Sequence, residues 1–166
     1  MQRQTDEKFM RIALTKALES KESGDYAIGA VIVYEGKVIS AVGNTRNEHP
    51  IDPTSHTEVV AIKQACEHLR SRYLEKCTLY STHAPCLMCL GTCIWSCVGR
   101  VVYGIKQADI MEHSKKHGFH AGKKTKLKWR ATCIEPEELY PYVESAHPDM
   151  DITSGILRKE CLKLFK

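Results

Sequence analysis

The 166 residues, 43% hydrophobic and 27% charged, can bury one sizeable core and predict a single domain over 1–166. No run of 18 apolar residues is present, which excludes a transmembrane helix, and a net charge of +4 is too mild to imply a polyanionic partner by itself. The polar opening, Met-Gln-Arg-Gln-Thr-Asp-Glu-Lys, lacks an apolar signal segment, so the 8 cysteines predict thiols and metal ligands in a cytoplasmic protein rather than a disulfide framework.

In chain order, Phe9, Ile12, Ala13 and Ala17 form one stripe of a helix predicted over 5–21, closed near Gly24. Segments 30–34 and 37–42 read as strands joined through Glu35-Gly36, a hairpin. The polar, Pro-containing stretch 44–55 reads as a loop. Val59, Ile62, Cys66 and Leu69 give a helix over 56–69. A strand over 78–81 leads into a helix that starts near Cys86 and is predicted to continue to Val98. Segments 100–103 and 129–134 read as further strands. A closing helix over 156–165 has Ile156, Leu157, Cys161, Leu164 and Phe165 as its apolar side. Strands alternating with helices after a hairpin predict an α/β fold with a mixed sheet and helices on its faces.

Two short segments carry the chemistry: His56-Thr57-Glu58 and Pro85-Cys86-Leu87-Met88-Cys89. Cys86 and Cys89, at i and i+3 of a helix start, lie on one face and reach one point. Pro85 suits a helix entry, and the helix N-terminus favours thiolates. One imidazole and two thiolates suit zinc, and three protein ligands leave a fourth tetrahedral position for water. Glu58, close to His56, is then placed to act as general base and acid. Alone, the Cys-x-x-Cys could be a redox pair or half of a structural knuckle. Cys93 and Cys97 could be proposed as further ligands. On one continuous helix, however, Cys86 and Cys97 would stand about 16 Å apart, so both are expected to be small buried hydrophobes.

The run 52–62, Asp-Pro-Thr-Ser-His-Thr-Glu-Val-Val-Ala-Ile, followed by Pro-Cys-Leu-Met-Cys-Leu-Gly at 85–91, resembles the cytidine deaminase superfamily. Within it, the closer similarity is to the branch of bacterial guanine deaminases and tRNA adenosine deaminases. The resemblance spans about 9–103 and returns over 152–157. It implies a three-layer α/β/α fold with a five-stranded mixed sheet, one zinc per chain, a homodimer, and hydrolytic deamination. It also implies that His56, Cys86 and Cys89 hold the metal and that Glu58 carries protons. The Cys86 backbone N–H, after Ala84 and Pro85, would stabilise the developing oxygen. Asn44 matches the loop Asn that hydrogen-bonds the base in relatives. Because the loop before His56 is one residue longer here, Asn47 competes with it. Gly29, Ala30, Thr57, Ala84 and Pro85 complete the expected substrate contacts.

Three residues depart from the branch's pattern. Ala84 stands where Glu usually precedes Pro-Cys, Ala27 where Pro usually precedes the first strand, and His83 lies beside the second motif. Gly29 is expected to permit close approach to substrate. Segment 115–130, with Lys115, Lys116, Lys123, Lys124, Lys126, Lys128 and Arg130, reads first as a solvated loop and second as a cationic lid or a phosphate-contacting strip for RNA. Four functions follow. A free amino-heterocycle, guanine first, is suggested by residues 58–66 and by Met88-Cys89-Leu90-Gly91 with Trp95. A tRNA adenosine substrate is the alternative, disfavoured by the lack of a basic extension after the closing helix. Ala84 keeps cytosine or nucleoside deamination in play. A non-catalytic, zinc-stabilised binding protein has no use for Glu58.

Overall fold

The structure is a computed structural model describing residues 1–44, 52–117, 134–143, 147 and 149–165, with side chains of 114–117 and 143 excepted. The elements are α1 (Gln2–Glu22), β1 (Gly29–Tyr34), β2 (Lys37–Gly43), α2 (Thr57–Leu69), β3 (Cys77–His83) and α3 (Leu87–Trp95), followed by β4 (Arg100–Ile105), α4 (Gln107–His117), α5 (Pro136–Val143), β5 (Asp151–Thr153) and α6 (Arg158–Lys163). Among the described residues, no helix is long and apolar enough to cross a membrane.

The five strands form one mixed sheet in the order β2-β1-β3-β4-β5. β1 pairs antiparallel with β2 and β3, while β4 runs parallel to β3 and β5. The β1–β2 turn uses Glu35 and Gly36, both with positive φ (47° and 74°), the backbone that matches strand twist in a tight hairpin.

Side-chain alternation along the strands separates two cores. Val31, Val33, Tyr80 and Val102 pack with Phe9, Met10, Ala13, Leu157 and Cys161 on the face covered by α1 and α6. Ala30, Ile32, Leu79, Val101 and Tyr103 pack with Ala61, Ile62, Leu90 and Cys93 on the face covered by α2 and α3. The result is the expected three-layer α/β/α arrangement.

Several element bounds differ from expectation. The fifth strand of the described sheet is β5; of the strand expected over 129–134, residues 129–133 lie outside the described residues, and Ile134 is not in a strand. A three-residue strand is too short to show a period, and it exists because β4 offers an edge for parallel pairing through Arg100↔Asp151 and Val102↔Thr153. Helix α3 stops at Trp95 rather than at Val98, and Cys97 turns the chain with φ 50°. Cys93 is a buried hydrophobe as expected, but Cys97 is only half-buried. Helices α4 and α5 were not legible, and the closing helix is shorter, with Leu157 left-handed at its cap.

Candidate metal centre and active site

Both motif segments fall where a loop becomes a helix. His56 caps α2 with extended backbone (φ −69°, ψ 149°), and Cys86 caps α3 in the same way (φ −70°, ψ 174°). Each cap carbonyl accepts the first helical bond, from Val60 N–H (2.9 Å) and Leu90 N–H (2.8 Å). The two helix starts therefore converge on one point with their N-terminal dipole ends inward.

At that point, His56 Nδ1 lies 3.6 Å from Cys86 Sγ and 3.5 Å from Cys89 Sγ, and the two sulfurs are 3.5 Å apart. Among the described residues this is the group of His, Cys and acidic side chains placed to hold a metal ion. The triangle has the right size. Tetrahedral zinc, with Zn–S near 2.3 Å and Zn–N near 2.0–2.1 Å, separates its ligand atoms by about 3.5–3.8 Å. The hydrogen bond between the two thiols, helped by His56, holds Cys86 down to about 4, while that same bond and burial push Cys89 up. Metal binding must displace the remaining proton, so affinity falls in acid.

Glu58 is buried (4% exposed) in the first turn of α2. Burial raises its pKa above the ordinary carboxylate value, against the lowering effects of its own N–H, His56 and Ser81. Oε2 lies 3.4 Å from Cys89 Sγ, beside the ligand triangle. Oε1 accepts a 3.0 Å hydrogen bond from Ser81 Oγ.

The other sequence candidates divide. Thr57 is buried and donates to Asn44 Oδ1 (3.3 Å), while Asn44 Nδ2 donates to Asp25 Oδ1 (2.6 Å). Asn44 is thus not simply a turn residue after Gly43; it ties the end of β2 to α2 and to the segment before β1. Asn47 lies outside the described residues. Ala84 and Pro85 are buried; the Ala84 N–H continues the β3–β4 ladder to Ile105 O (2.8 Å), and its carbonyl accepts from Gln107 Nε2 (2.9 Å). Ala30 is buried in register with Ser81.

Gly29 has a different reason from the expected one. A Cβ there would meet Ala13 O of α1 at 1.9 Å, so the glycine is needed to admit helix α1. His83 is buried against Phe165 (ring centroids 4.7 Å), and burial lowers its pKa to about 3. Trp95 is 86% exposed and sits at the end of α3 away from the ligands, about 12 Å along the axis from Leu87. Segment 115–130 falls outside the described side chains.

Sequence reasoning missed Ser81, Asp25 and Gln107. Strand alternation could have found Ser81, since it shares the α2 face with Leu79. No local signal marks Gln107, whose backbone N–H is itself held by Glu135 Oε2 (3.0 Å) from across the fold.

Five mixed strands between helix layers, with a His/Cys/Cys triangle and a buried carboxylate at the starts of two helices, define a zinc-dependent deaminase of the cytidine deaminase superfamily. The family model for the cytidine and deoxycytidylate deaminase zinc-binding region matches residues 3–105, and the chain belongs to that family. It is 40% identical to a tRNA-specific adenosine deaminase of Aquifex aeolicus (strain VF5) over 112 residues, covering 68% of this chain and 69% of that protein. Over 164 residues it is 34% identical to a tRNA-specific adenosine deaminase of Buchnera aphidicola subsp. Schizaphis graminum, covering 99% and 93% of the two chains. A guanine deaminase of Bacillus subtilis (strain 168) is 39% identical over 107 residues, covering 64% and 68%. A solved chain from a study of A-to-I editing by tRNA:A34 deaminases superposes with TM-score 0.71 at 28% identity, covering 94% of this chain and 97% of that one.

Proposed function

We propose that this chain deaminates adenosine to inosine in a tRNA, consuming water and releasing ammonia. The observation that carries the reading is the similarity to a tRNA-specific adenosine deaminase over almost the whole of both chains. It shifts the balance away from free guanine, the substrate expected first. Trp95, part of the pattern behind that expectation, is exposed at the wrong end of α3 to line the site. Guanine remains the second reading, favoured by the 39% identity to a guanine deaminase across the motif region.

His56, Cys86 and Cys89 would hold the zinc, which would supply Lewis acidity to the water that adds to the amine-bearing carbon. Glu58 accepts one proton from the attacking water and delivers it to the ring nitrogen beside the amine-bearing carbon, then takes the second proton of that oxygen and passes it to the departing amino group, which leaves as ammonia. The Cys86 N–H, at the start of α3, would donate to the developing oxygen. Asn44, its amide oriented by Asp25 and Thr57, hydrogen-bonds the base. The protein works as a homodimer, and the lysines of 115–130 contact RNA phosphates.

The test is a panel of an anticodon stem-loop, guanine, cytosine, adenine and cytidine, followed by ammonia release and, for the stem-loop, inosine formation. Conversion is expected to be fastest on the stem-loop, with affinity falling steeply as salt rises. Faster ammonia release from guanine than from any RNA would replace this reading with the second.

A further inference from the structure

Glu58 must present one oxygen to the reacting atoms in a fixed direction. The terminal torsion of a Glu side chain is broad and roughly two-fold, so nothing intrinsic to the residue sets which oxygen that is. Its surroundings distinguish the two. Oε2 lies on the side of the ligand triangle, 3.4 Å from Cys89 Sγ. Oε1 points to β3 and accepts from Ser81 Oγ at 3.0 Å. Ser81 Oγ in turn accepts from the His83 N–H at 3.3 Å, which occupies a lone pair and directs the single hydroxyl proton at Glu58. Ser81 is fully buried, and its registers with Ala30 on β1 and Tyr103 on β4 place it at the centre of the sheet, a rigid support. A Cys89 bound to metal has no proton to give, so the Ser81 bond is the one that persists in the loaded site.

We infer that Ser81 is a positioning residue for Glu58: its hydroxyl pins Oε1, leaving Oε2 as the oxygen that carries protons. This rests on the reading of Glu58 as the proton carrier, but not on which base is the substrate.

Ser81→Thr and Ser81→Val test it as a pair, because they add nearly the same volume and differ in the hydroxyl. Both are expected to keep one zinc. Ser81→Thr should hold near wild-type kcat, whereas Ser81→Val should lose about 10- to 100-fold in kcat with KM changed little, as for a lost hydrogen bond to a charged group. Should neither branched side chain fold, Ser81→Ala, which adds no volume, is expected to show the loss seen for Val. A readout independent of turnover is the Glu58 carboxylate in crystal structures of the variants, in one orientation with Thr and in two or a rotated one with Val or Ala. Equal kcat for Thr and Val, a loss confined to KM, or an unmoved carboxylate without the hydroxyl would each overturn the inference. Wild-type kcat in Glu58→Gln would instead remove the acid–base reading itself, whatever the Ser81 variants do.

Discussion

Two buried carboxylates on opposite faces of the sheet are treated in opposite ways. Asp6, from α1, is 1% exposed and meets Arg100 through Nη1–Oδ1 (2.7 Å) and Nη2–Oδ2 (3.0 Å), with the Tyr80 hydroxyl donating at 2.9 Å. Burial alone would raise its pKa, but the Arg100 and Tyr80 hydrogen bonds outweigh it and hold Asp6 below the ordinary value. Arg100 also reaches Asp151 and Thr153, so this cluster joins α1 to β4 and β5. Glu58 is almost as buried, yet among the described residues it makes no ion pair with Lys or Arg, and burial dominates its raised pKa. A charge locked by a guanidinium ties elements together. A carboxylate held by a hydroxyl beside a ligand triangle has no guanidinium among the described residues to fix its charge and is suited to exchanging a proton.

The comparison breaks most completely at the ligand triangle. Cys89→Ala should take zinc from one equivalent to near zero by elemental analysis, abolish turnover and lower the melting temperature, because metal binding is coupled to folding. Full zinc retention would show that Cys89 is not a ligand. Next comes Glu58→Gln, which should keep its zinc and lose about 10² to 10⁴-fold in kcat, the usual range for a general acid–base group.

Arg100→Leu should do the reverse. It leaves Asp6 buried without its ion pair, a loss of about 3 kcal/mol by urea unfolding, while kcat per folded, zinc-loaded molecule stays unchanged. A fall in kcat as large as that of Glu58→Gln would erase the distinction between the two carboxylates.

The gentlest test is pH. His83 stays neutral in the fold, its pKa pushed down to about 3 by burial, whereas the unfolded chain takes up a proton below the ordinary value of about 6.5. The unfolded state then binds more protons, so stability should fall as pH drops from about 6.5 toward about 3. Asp6 acts later. Its folded pKa lies below the ordinary one, so its contribution is present above the ordinary value and lost as pH falls through the folded one. Urea midpoints between pH 7 and 4 should decline in wild type and decline less in His83→Leu. Parallel slopes in the two proteins would show that His83 does not drive the loss.

The residues of the metal centre were legible in the chain because the relevant information is local. Cys86 and Cys89 share a helix face through their spacing alone, and His56 and Glu58 occupy the first turn of a helix announced by its apolar period. The β1–β2 hairpin was legible too, since Glu35-Gly36 sits between two β-rich runs. What local periodicity does not hold is which distant segments meet. The convergence of two helix starts on one triangle is a property of strand order. Gly29 is needed because α1 crosses there, as the 1.9 Å approach of Ala13 O shows, and no feature of 27–30 announces that crossing. The three residues of β5 are a strand only because β4 lies alongside them. Ser81, a small polar residue in a strand, becomes the support of Glu58 once β3 is central and its face is turned toward α2. The donors and their spacing follow from the sequence; the direction of the carboxylate between them follows from sheet register, which is set only when the whole core packs.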